Sequence, residues 1–188
     1  MHLPEANERR ELQMTPQLRL RRTNQKRTAL LQRLALLPGA TLTTRQKADS
    51  WTITEIVEHL ILAEQAVLGD ATRLHERTPQ IQTLASALRF AIVMAVLRLG
   101  IRVRVPSETM RPRGHVSFTV LRSQWDSQFE LLQTFVLERN RASNRLAIFH
   151  HPVAGPLSVT QALWMLEVHL DSHIRQIDRQ IHGVRSAR

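Results

Sequence analysis

Two histidines four residues apart, His169 and His173, lie in the stretch Leu163-Trp-Met-Leu-Glu-Val-His169-Leu-Asp-Ser-His173-Ile-Arg-Gln-Ile177. On a helix, such a pair stands one above the other on a single face. Two imidazoles so placed can hold one metal ion from the same side. A third from a facing helix completes a three-nitrogen site with a position left for water or substrate. His59, in a second amphipathic stretch, is the candidate third ligand. The alternative is ordinary use at a helix boundary, since a chain with nine histidines contains spaced pairs by chance.

The elements that must position these residues are helical. Thr15-Pro16 pairs an N-cap residue with proline at the first helical position, and the apolar run that follows stops at Pro38-Gly39. Thr52-Ile-Thr-Glu55 and Ser158-Val-Thr-Gln161 are capping boxes that open two further helices. A third segment, from about Ile81 to Leu99, contains Phe90 to Leu97, which is apolar all round. That run is far too short to span a bilayer, so it predicts a central buried helix or a dimer contact. Phe118, Leu121, Trp125, Phe129, Leu132 and Val136 mark another helix. Loops are expected from about Gly100 to Val116 and from Asn140 to Leu157, and no strand is expected. The pattern predicts an all-α antiparallel bundle, forming one domain over 1–188 with its core at about 15–182 and flexible basic termini.

At 100° per residue, Val159, Leu163, Leu166, Leu170, Ile174, Ile177 and Ile181 fall within roughly 80° of arc on the last helix. His169 and His173 flank that stripe beside Ala162, Gln176 and Gln180, and His59 borders its own stripe next to Ala63. All three therefore edge on buried surface. Glu64 points near the centre of the second helix's apolar stripe, where it either orients a ligand imidazole or pairs with a buried arginine. His150 and His151 precede the last helix, with turn formation their simpler use. His2, His75, His115 and His182 lack partners at ligand spacing.

Composition narrows the chemistry. The 188 residues include no cysteine, which excludes disulfides, thiolate zinc sites and cysteine nucleophiles. The N-terminal residues lack the apolar core of a signal peptide, so a cytoplasmic location is expected. Nearly all of the basic residues behind the formal charge of +10 are arginine, and several arginines gather at Arg19–Arg27 and again at Arg98–Arg113. Such a surface could attract nucleic acid or a small anion, or simply be solvated. With aromatics at 4 % and no tyrosine, platforms for stacking single strands are scarce. Leu170 follows His169 where a His-Glu-x-x-His protease carries its glutamate base, so that chemistry is not supported.

Trp51-Thr-Ile-Thr-Glu-Ile-Val-Glu-His59-Leu60, followed by Ala63-Glu64, resembles the first signature of the DinB-like superfamily. His151-Pro-Val-Ala-Gly-Pro-Leu-Ser158, then Trp164, His169, His173 and Gln176-Ile177, resembles its C-terminal signature. The resemblance runs from about Thr15 to Ile181. It implies a four-helix bundle of up-down-down-up topology, with an additional helix in the 80–100 region and frequent dimerisation. It also implies a metal site with one histidine from the second helix and two from the last, here His59, His169 and His173. Zinc, nickel or iron are the divalent ions implied. The activities implied are thiol S-transfer, with a low-molecular-weight thiol as cosubstrate, and metal-assisted hydrolysis of a small molecule. The alternative is a noncatalytic, stress-related helical module with a structural metal or none, and nucleic-acid binding stands behind both. No membrane association is expected.

Overall fold

The computed structural model describes residues 14–73, 83–101, 108–138 and 147–186. Four long helices, α1 (Pro16–Ala35), α3 (Ile53–Arg73), α5 (Phe118–Leu137) and α6 (Val159–Ser186), carry the architecture, with a short α2 (Gly39–Thr43) and a peripheral α4 (Leu84–Leu99). Helix α1 packs on α5 and α6, and α3 packs on the same two, which closes the ring of a four-helix bundle. Helix α4 is the additional element expected near residues 80–100. The all-α bundle is the fold. The expectation for the termini, and for Ile81 at the start of α4, falls largely outside the described residues.

The capping signals work as their chemistry requires. Thr15 Oγ1 accepts the Leu18 N–H at 3.2 Å. The Thr52 and Glu55 pair closes reciprocally at 3.2 and 2.7 Å, and Ser158 with Gln161 at 3.4 and 3.0 Å. Helix α4 has a box of its own, in which Ser86 supplies a hydroxyl where glutamate or glutamine is usual, bonding Thr83 at 3.1 and 3.0 Å. Gly100, at φ 65°, ends it in the left-handed conformation that glycine adopts freely.

Three expectations are corrected. Residues 147–158 are not a loop: β1 (Ala147–His151) and β2 (Gly155–Ser158) form an antiparallel hairpin packed on α3 and α6. A register irregularity between Ala147 and Phe149 puts Ile148 and Phe149 both on buried surface, so the alternation that announces a strand is broken. Pro38-Gly39 ends α1 but also opens α2, whose single turn is too short to show a period; it buries Leu42. Helix α4 is not central. Phe90 and Met94 pack against the bundle while Leu84, Leu88 and Ile92 stand exposed.

The core has two apolar clusters. One centres on Leu20, Val67, Phe129 and Trp164, the other on Leu34, Ile56, Trp125 and Ile177. Polar groups lie among them. Arg27 sits over the rings of Trp125 and Phe129 and pairs with Asp126 at 2.6 Å. Arg19, fully buried, meets Glu167 at 2.7 Å, and Lys26 reaches Glu167 at 3.0 Å and Asp171 at 2.7 Å. Much of the basic run at Arg19–Arg27 is thus engaged inside the bundle. Among the described residues, no helix is long and apolar enough to cross a membrane.

Truncating Glu167 removes the carboxylate facing a buried guanidinium between α1 and α6. Glu167→Ala should cost about 3–5 kcal/mol in urea unfolding, and the Arg19→Met/Glu167→Leu double variant clearly less. A loss below about 1 kcal/mol would mean that the pair behaves as a solvated surface bridge.

Candidate metal centre

The capping box at Thr52 sets the phase of α3 so that His59 faces α6, and the box at Ser158 sets the phase of α6. His169 and His173 then project from consecutive turns toward α3. His59 Nε2 lies 3.2 Å from His169 Nε2, and His173 Nε2 lies 3.0 Å from the same atom. The candidate ligand atoms of all three lie within 4.8 Å of one another. The structure thus brings together the three histidines singled out in the sequence.

Each outer imidazole is held by its other nitrogen. His59 Nδ1 is 2.8 Å from the Met110 carbonyl, which can only accept, so Nδ1 carries the proton and Nε2 presents a lone pair. His173 Nδ1 donates to Gln176 Oε1 at 2.9 Å with the same result. Two lone pairs therefore face His169 Nε2, whose single possible proton cannot satisfy both. Trp51 walls the cluster, its ring centroid 4.8 Å from that of His59 and 6.5 Å from that of His173.

Electrostatics keep these rings neutral. Burial lowers the His59 pKa despite the opposing Met110 hydrogen bond. Burial, then the neighbouring His173 and His59, holds His169 well below 6.5. His173 is pushed down to about 4, chiefly by burial and then by His59. Neutral imidazole is the form that binds metal. A metal–nitrogen bond of about 2.0–2.1 Å sets ligand nitrogens roughly 2.8–3.4 Å apart for right-angle to tetrahedral geometry. The observed 3.0 and 3.2 Å fit that range. The donor set could hold a divalent cation from one side and leave coordination positions open.

Other expected residues find different surroundings. Glu64 Oε1 accepts the Trp125 indole N–H at 3.0 Å, and its Oε2 has no hydrogen-bond partner. Arg27 acts on it through its charge, while the groups that hold the imidazoles are Met110 and Gln176. His151 Nδ1 accepts the N–H groups of Val153 and Ala154 at 3.1 and 3.0 Å, a turn-forming role. The backbone N–H of His150 donates to Asp70 at 3.3 Å. His115 and His182 are exposed, and His2 and His75 lie outside the described residues. Gln176 could have been found as the residue three beyond His173 on one helix face. The Met110 carbonyl had no signal, because every residue has one.

Burial raises the Glu64 carboxyl from 4.5 to about 7, against the lowering pulls of Trp125 and Arg27. The unfolded chain releases this proton near 4.5 and the native protein near 7, so Glu64 removes stability as pH rises through that window. The stability of Glu64→Gln relative to the parent should therefore rise by up to about 3 kcal/mol between pH 4.5 and pH 8 and then level off, read by urea unfolding. A difference independent of pH would show that the carboxyl titrates normally.

No curated protein and no solved structure matches the chain. The sequence profile of the DinB superfamily matches residues 22–177, a span containing all three histidines, and the chain belongs to that superfamily.

Proposed function

We propose that the chain is a metal-dependent enzyme in which His59, His169 and His173 hold a divalent zinc, nickel or iron ion and which transfers a low-molecular-weight thiol to a small electrophile. Metal-assisted hydrolysis of a small molecule is the other reaction open to the same donor set. The observation that carries the reading is the approach of His59 and His173 Nε2, each presenting a lone pair, to His169 Nε2 at 3.2 and 3.0 Å. When bound, such an ion acidifies a coordinated thiol or water.

The chain's own residues do the rest. Met110 and Gln176 fix the tautomers of two imidazoles, and the packing of α3 on α6 sets their spacing. Trp51 covers one side of the cluster against solvent. The protein has no cysteine, so a sulfur nucleophile must arrive as a cosubstrate. A cytoplasmic setting, where small thiols stay reduced, belongs to this reading. So does a single domain over 1–188, supported by the packing of the first long helix on the last.

Protein purified without a histidine tag should carry one divalent ion per chain by elemental analysis and lose it in His169→Ala. Full occupancy in that variant would overturn the ligand set. The holoprotein should consume small thiols in the presence of an aryl halide, and chelation should stop it. A large drop in thermal stability on chelation with no turnover of any thiol would instead assign the ion a structural role.

Homodimerisation is also part of the reading, supported by the exposed stripe on α4. Leu84 is 93 %, Leu88 64 % and Leu99 74 % exposed, and with Ile92 they fall within roughly 80° of arc. Sedimentation should show a dimer that Leu88→Arg converts to a monomer; a parent protein that is monomeric at all concentrations would refute it.

A further inference from the structure

A second concavity, a groove of about 680 Å³, lies between α3, α5 and the segment from Glu108 to Val116. None of the three clustered histidines lines it. Its size lies within the range of small-molecule sites, and its walls mix charged and amide groups with aliphatic side chains such as Leu62 and Leu131.

Three polar groups in the wall are not fully matched by the protein. Gln128, only 7 % exposed, lines the groove with an amide whose Nε2 has no hydrogen-bond partner. A buried donor left unpaired is costly, and the soft terminal torsion of glutamine allows that amide to turn toward a ligand. Glu58, 9 % exposed, gives Oε2 to the Gly114 N–H at 2.9 Å. No hydrogen bond to its second oxygen is found among the described residues. Arg113 lines the groove and forms no ion pair among the described residues, whereas its neighbour Arg111 is paired with Glu108 at 3.2 Å.

The wall is held in shape before any ligand arrives. Gly114, at φ 74°, has its N–H on Glu58, and a Cβ there would come within 2.9 Å of Glu55 Oε1. Only glycine lets the segment pass so close to α3. With Arg111 and Glu108 neutralising each other, Glu58 and Arg113 remain as one negative and one positive group. A dianion such as phosphate would meet Glu58 unfavourably. A molecule with both an ammonium and a carboxylate satisfies both charges, and the amide of Gln128 matches a peptide carbonyl.

We propose that the groove between α3 and α5 is a binding site for a short peptide-like zwitterion, its ammonium on Glu58, its carboxylate on Arg113 and its amide on Gln128. None of the clustered histidines contributes to this site, and the proposal does not rest on the metal reading.

The probe is the dipeptide alanyl-glutamine, titrated into ¹⁵N-labelled protein and followed by NMR. The Gln128 side-chain amide and the backbone signals of residues 108–114 should shift and saturate. The N-acetylated and the C-amidated dipeptides should each bind at least about tenfold more weakly, and inorganic phosphate should leave these signals in place. Glu58→Gln keeps an oxygen for the Gly114 N–H while removing the charge, and Arg113→Ala alters an exposed side chain. Each should weaken binding about tenfold or more while the remaining spectrum stays native. His169→Ala should bind the dipeptide as the parent does. The proposal is overturned by shifts that fail to saturate by about 10 mM dipeptide, by equal binding of the blocked forms, or by undiminished binding in Arg113→Ala.

Discussion

Helices α3 and α6 meet where three imidazoles crowd together, and the rest of the structure is organised to tolerate that contact. Two lone pairs directed at one nitrogen from 3.2 and 3.0 Å are not a favourable arrangement by themselves. Protonating the rings would relieve it in water, but burial opposes protonation and so do the neighbouring rings. The cluster persists because residues around it are committed elsewhere. Leu170 and Ile177 on α6 interlock with Ile56, Val57 and Leu60 on α3, and this packing fixes the separation of the helices. Moving the imidazoles apart would open that core, and lost contacts of close-packed side chains are expensive.

The same economy of space governs the charges. A strongly basic chain invites the thought of an outward-facing cationic patch. Yet Arg19 and Arg27 are buried, and Lys26 is tied to two carboxylates on α6. Arg19 also lies over Trp164, 5.4 Å from its ring centroid. These cations join α1 to α5 and α6. Arginine suits the task, since its planar guanidinium can stack on an aromatic face while it donates to a carboxylate. Arg175 does similar work at the surface, donating to the carbonyls of Leu97 and Arg98 at 3.1 Å each. It adds a donor at the C-terminal end of α4, where a positive charge is favoured.

What could be read in the sequence was what is local. An N-cap and its partner lie three residues apart, so Thr52 with Glu55 and Ser158 with Gln161 are visible without tertiary knowledge. The pair His169 and His173 is local in the same sense. The placement of His59 opposite them depends on tertiary packing: its stripe-edge position made it a candidate, and the family resemblance made it the expected third ligand. Glu64 shows the limit. Its position on the apolar stripe marked it as unusual, and periodicity narrows its environment to the core. Only packing decides that its partner is the indole of Trp125, sixty-one residues away. The β-hairpin was invisible for another reason, since its irregular register breaks the two-residue alternation and leaves a pattern that resembles a loop.

The Glu108–Val116 segment shows how a tertiary detail can control a cluster that looks helical in origin. His169 and His173 are brought together by α6 alone, and forming one helix suffices to place them. His59 depends on more. Its ring is oriented by the carbonyl of Met110, which belongs to a single 3-10 turn, Glu108–Met110, packed on α3. That turn is tethered one step further on, where the Gly114 N–H donates to Glu58, the residue next to His59. If the segment lifts, His59 loses its acceptor, its Nδ1–H tautomer is no longer imposed, and the lone pair need not face α6. Two nitrogens would remain in place on one helix while the third became free to turn away. The completeness of the cluster therefore rests on one backbone carbonyl held by a glycine turn as well as on the helices that supply the imidazoles.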